Sequence, residues 1–212
     1  MEAMPEEYET IAEPVDAEIE ITRSRFLTRL ARVESEDRAR AVIAEVRAEH
    51  PRARHHCSAF VLGPDGRVQR SNDDGEPGGT AGAPMLDALV SAGLSDVVAV
   101  VTRYFGGVLL GAGGLTRAYR AAVAEAVVDA RRVRRGLRRT VTVEAGYDVA
   151  AQIEAEARRR GLGIGPAEHG AAVAQLYAAA AQRVDELEAL ALELSAGAAV
   201  VTLGVEEYVD LA

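Results

Sequence analysis

The chain reads as an α+β protein of two domains, a mixed-sheet domain over 15–135 followed by a βαββαβ domain over 138–212. Three observations lead there. Strand and helix patterns alternate with an early hairpin. An unbroken apolar run, Val97 to Val101, enters a loop with five glycines and passes straight into a helix. A stretch with six arginines, RRVRRGLRR at 131–139, separates that helix from the tail. The 212 residues and 49% hydrophobic content suffice for packed cores in two modest domains.

The first dozen residues read as a loose acidic lead-in, because Pro5 and Pro14 interrupt any period. Val15, Ala17, Ile19 and Ile21 alternate with acids as a half-buried strand, and a second strand covers Phe26 to Val33. Ser35 caps a helix carrying Ala39, Val42, Ile43 and Val46 until Pro51 stops it. Ser58 to Leu62 and Val68 to Ser71 make a hairpin around Gly63-Pro64-Asp65-Gly66. The loop SNDDGEPGGTAGAP, 71–84, leads into a short helix at Met85 to Ala92. After the strand at 97–101 and its glycine loop, Leu115, Ala118, Tyr119, Ala122, Val123, Ala126, Val127 and Ala130 recur at helical spacing. The tail follows as a strand at 140–145, a helix at 149–160, strands near 162–168 and 173–180, a helix at 184–195 and a strand at 199–208. That order is the ferredoxin-like arrangement.

Net charge is −9, unevenly spread. Residues 1–20 hold eight acids and no Arg; residues 21–135 hold 18 Arg against 13 acids; residues 136–212 hold 6 Arg against 12 acids. The basic middle suits an RNA or acidic-protein contact, and the acidic tail suits a protein contact. The single cysteine, Cys57, rules out an internal disulfide and fits a reducing, cytoplasmic setting. No apolar run approaches a membrane span and the N-terminus is acidic where a signal peptide would be basic. Four per cent aromatic content without Trp argues against a surface that stacks many bases.

Four groups of residues carry chemistry. Gly106, Gly107, Gly111, Gly113 and Gly114, with Arg103 and Arg117 beside them, form an anion cradle at a helix N-terminus. The same glycines serve a tight structural turn, and the loop matches neither the dinucleotide fingerprint nor the Walker loop, which needs a Lys this chain lacks; spacing leaves both readings open. Asp73, Asp74 and Glu76 put three carboxylates in four residues, as Mg²⁺ ligands or, preferred here, as turn caps and partners of Arg103 or Arg117. In this reading the acidic loop faces the glycine loop. His55, His56 and Cys57 are ligand types, but alternation along a strand leaves too few on one face for zinc, so Cys57 is read as core. Arg131, Arg132, Arg134 and Arg135, with Arg138 and Arg139, either track a phosphate backbone or complement a helix terminus.

Ser24-x-Phe26, His56-Cys57-x-Ala59, SNDDGEPGGTAGAP and VVTRYFGGVLLGAGGLTRAY together resemble the YigZ/IMPACT family over about residues 15–130, and the βαββαβ tail is similar to the second domain of its bacterial members. The resemblance implies a first domain of the type found in a small-subunit ribosomal protein, the fourth domain of elongation factor G and GHMP kinases, and a tail like that factor's fifth domain. Eukaryotic members of the family regulate a starvation-responsive kinase of translation initiation by binding its activator through a chain with an additional N-terminal module, for which the twenty residues here leave no room. Ala83 departs from the basic residue many bacterial members carry. The function expected is a non-enzymatic, stress-responsive, translation-associated regulator that binds RNA, the ribosome or an acidic partner, such as a translation-associated protein, through the Gly-rich anion-binding loop. The second is a Mg²⁺-dependent nucleotide- or phosphate-handling enzyme, for which no general base or nucleophile motif is read. No catalytic residue, cofactor, metal site or membrane contact is assigned, and the oligomeric state is not read.

Overall fold

The structure, a computed structural model, describes residues 4–211. The chain divides into two compact units, the first ending at Arg134 and the second running over 135–211.

The first unit opens with strand β1, Glu7–Ile11. The expected loose lead-in is therefore a strand. Tyr8, Thr10 and Ile11 are buried, the Tyr8 hydroxyl donates to Asp96 Oδ2 at 2.5 Å, and Ser95 N–H donates to the Glu9 carbonyl at 2.9 Å. Next come β2 (Val15–Ile21), β3 (Ser24–Arg32), α1 (Glu36–Glu49), β4 (His55–Leu62), β5 (Val68–Asn72), α2 (Gly82–Ser91), β6 (Val97–Tyr104) and α3 (Gly111–Asp129). Ser35 caps α1, its Oγ accepting from Arg38 N–H at 3.2 Å.

The sheet runs β2-β3-β6-β4-β5, and each neighbouring pair is antiparallel. This corrects the mixed sheet expected from sequence. The reason lies in the path of α1: it carries the chain from β3 to β4, which are parallel to each other, but β6 inserts between them and is antiparallel to both. Helices cover both faces of β6, which explains its unbroken apolar run. Val97, Ala99 and Val101 pack with residues of α2 and α3, while Val98 and Val100 pack with Ala39, Val42 and Val46 of α1.

The linker expected after α3 is instead the start of β7, Arg132–Ala145. The rest of the second unit is α4 (Tyr147–Arg159), β8 (Gly163–His169), β9 (Val173–Ala179), a short 3-10 turn, α5 (Val184–Leu194) and β10 (Val200–Asp210). Its strands lie in the order β10-β7-β9-β8, all antiparallel. A core of Val141, Val143, Ile153, Tyr177 and Leu187 fills the space between sheet and helices.

Candidate functional site

The register of the first sheet decides which residues meet. Phe26 and His55 both lie opposite Arg103, and Arg25 lies opposite Tyr104. The starts of β3 and β4 therefore flank the end of β6, where the glycine loop begins.

Arg103 does not face solvent. Its side chain is 8% exposed, and Nη1 donates to Glu76 Oε1 at 2.7 Å, a carboxylate whose own side chain is 4% exposed. The same oxygen accepts the Tyr119 hydroxyl at 2.7 Å. Ser24 Oγ lies 3.5 Å from Arg103 Nη2 and accepts Gly106 N–H at 3.2 Å. The guanidinium also sits over Phe26 and Phe105, 5.6 and 5.7 Å from their centroids. One donor, Arg103 Nε, has no partner. Burial, then Cys57 and Glu76, raises the Tyr119 pKa, so this phenol stays a donor.

Asp73 and Asp74 close the acidic loop on itself. Asp73 accepts three backbone N–H groups, from Gly79 at 2.8 Å, Ala81 at 2.9 Å and Gly82 at 2.8 Å, and so caps the start of α2 from eight residues away. Burial opposes ionisation of Asp73, but these amides outweigh it and hold the carboxyl below its ordinary value. Asp74, at φ +42°, accepts His56 N–H at 2.7 Å and pairs with Arg47 at 2.8 Å. Its carbonyl accepts a hydrogen bond from His55 Nδ1 at 2.9 Å, and Cys57 Sγ donates to the Asp73 carbonyl at 3.0 Å. Burial pushes the Cys57 thiol up to about 12. His56 lies 3.1 Å from Thr102 Oγ1, and burial followed by the charge of Arg47 lowers its pKa. Among the described residues no group of three or more His, Cys, Asp or Glu is placed to hold a metal ion.

The glycine loop is held where it leaves β6. A Cβ on Gly106 would lie 2.0 Å from the Arg23 carbonyl carbon, so only glycine fits against the β2–β3 turn. Gly111 opens α3 at φ +68°; Gly113 and Gly114 follow in the first turn, which has no acid and no side-chain cap. Gly107 takes φ +86° between exposed Phe105 and exposed Val108 and Leu109. Arg117 is exposed and has no ion-pair partner among the described residues.

The site also contains residues that sequence reasoning passed over. Arg52 and Arg54, in the turn before β4, line an open cleft of about 630 Å³ with His55, Arg103, Tyr104 and Phe105. Their signal is the pair of arginines after Pro51, legible only once β4 is known to lie against β6. The interdomain arginines are elsewhere and mostly paired: Arg131 with Glu13 at 3.9 Å, Arg132 with Glu9 at 2.8 Å, Arg134 with Glu7 at 3.4 Å and Arg135 with Asp210 at 3.2 Å. Among the described residues no helix is long and apolar enough to cross a membrane.

Fold and site define a two-unit α+β protein whose first unit closes a glycine loop beside a buried Glu76–Arg103 pair. The chain belongs to the IMPACT family: the Impact N-terminal domain matches residues 22–127. It is 46% identical over 151 residues to IMPACT family member YvyE of Bacillus subtilis (strain 168), spanning 71% of this chain and 70% of that one. IMPACT family member YigZ of Escherichia coli (strain K12) is 46% identical over 68% of this chain and 72% of its own length. A crystal structure of a hypothetical protein is 38% identical, with TM-score 0.65 over 96% of this chain and 99% of its own.

Proposed function

We propose that the chain is a non-enzymatic, translation-associated regulator that binds RNA or the ribosome through the glycine-loop end of its first unit. Membership of the IMPACT family points to a translation-associated regulator. The observation that carries the RNA reading is a set of arginines left without acids. Arg23, Arg52, Arg54 and Arg117 belong to the segments around the glycine loop and have no ion pair among the described residues, whereas most arginines elsewhere on the first unit do. Uncompensated cations beside the open amides of a helix N-terminus suit phosphate. The first unit is read as the type found in a ribosomal protein and in elongation factor G, and the strand order of the second as ferredoxin-like.

The test is retention of the full chain on ribosomes and total RNA across a salt series, comparing wild type with Arg117→Ala. Phosphate contacts make the affinity fall at least tenfold between about 50 and 200 mM salt. Arg117→Ala is expected to weaken retention several-fold and flatten the salt slope. A wild type that fails to bind at the lowest salt, or binds without salt dependence, overturns the reading.

A further inference from the structure

The cleft at the end of β6 combines features that phosphate binding alone does not need. No carboxylate lines it. Arg52 and Arg54 are exposed and without ion pairs among the described residues. Phe105 beside them is 57% exposed, an expensive position for a phenyl ring in water, and Leu109 at the same cleft is 87% exposed. The Arg103 guanidinium lies 5.7 Å from the Phe105 centroid and is itself paired with Glu76 and packed on Phe26. Arg103, more than nine-tenths buried, lies in the cleft floor. The volume, about 630 Å³, falls within the usual span of small-ligand sites.

An exposed phenyl ring with a guanidinium 5.7 Å from its centroid, flanked by two arginines without ion pairs among the described residues and with no acid in the lining, suits a stacking platform in an electrostatic funnel. Paired RNA hides its base faces inside the helix and would leave Phe105 idle; an unpaired base offers a face to it. We propose that this cleft holds an unpaired nucleotide of an RNA strand, its base on Phe105 and the neighbouring phosphates against Arg52 and Arg54. The proposal rests on the RNA-binding reading above and narrows it to single-stranded segments.

The experiment is fluorescence anisotropy of the full chain with a labelled ten-nucleotide oligouridylate and with a fully paired ten-base-pair RNA duplex. Phe105→Ala, Phe105→Tyr and the double change Arg52→Ala/Arg54→Ala are compared with wild type. The oligouridylate should bind at least tenfold more tightly than the duplex. Phe105→Ala should weaken it about ten- to a hundredfold and leave the duplex within twofold, while Phe105→Tyr keeps the ring and the affinity. The double arginine change should weaken binding and lower the salt slope. Equal affinity for the two RNAs, or oligouridylate binding indifferent to Phe105→Ala, overturns the cleft assignment while retention on ribosomes leaves the broader reading standing. Displacement by uridine monophosphate at the strand's own concentration would assign the cleft to free nucleotide and overturn the RNA proposal. No binding of any RNA by wild type would remove the broader reading itself.

Discussion

Asp73 shows how one carboxylate fixes a loop. It gathers three amides that would otherwise be orphaned where the acidic loop turns into α2. Asp73→Ala leaves all three amides without their acceptor and is expected to lower stability by about 1 to 3 kcal/mol in urea denaturation. Because the folded-state pKa lies below the ordinary value of 3.8, the contribution is complete above that pH and is lost as pH falls through the folded value. The stability gap between wild type and Asp73→Ala should therefore be constant near neutrality and shrink as pH falls below about 4; a gap that does not shrink on acidification would contradict the assignment. The carboxylates expected either to bind Mg²⁺ or to cap turns are engaged by the protein, Asp73 by amides and Glu76 by Arg103 and Tyr119.

At the scale of elements, the Glu76–Arg103 pair joins three of them: the acidic loop, the end of β6 and, through Tyr119, helix α3. Such a pair adds little over an apolar substitute, but removing one partner strands a buried charge. Glu76→Ala is expected to cost about 3 to 5 kcal/mol by thermal or chemical unfolding, and adding Arg103→Met to it should recover a large part of the loss. Equal destabilisation by the single and double changes would show that packing, and not charge, holds the loop. The sequence displayed most elements because their periods are local: the apolar run of β6, the spacing of α1 and α3, the βαββαβ order of the tail. It concealed β1, whose buried Tyr8 and Thr10 sit among acids between two prolines, and it concealed the Arg52–Phe105 cleft, because strand register is a long-range fact. The ion pairs of the arginines after α3 were hidden for the same reason, since Glu7 and Glu9 lie more than a hundred residues earlier.

At the scale of the molecule, each unit has its own core, and no core residue of one belongs to the cluster of the other. Leu187, fully buried in the second unit, is a direct probe. Leu187→Ala should cost about 2 to 5 kcal/mol, and hydrogen exchange should quicken across 135–211 more than in β3, β4 and β6. Uniform acceleration over the whole chain would mean that the two units unfold as one. Cys57 offers a finer reading of the first unit. It is the sole thiol in the chain, fully buried on β4, where burial pushes its pKa up to about 12, and its Sγ donates to the carbonyl of Asp73. An alkylating reagent can reach it only when the packing of the acidic loop, α2 or α3 over β4 opens, so the rate of labelling is a clock for that opening, installed by the sequence beside the site and readable in the unmodified protein.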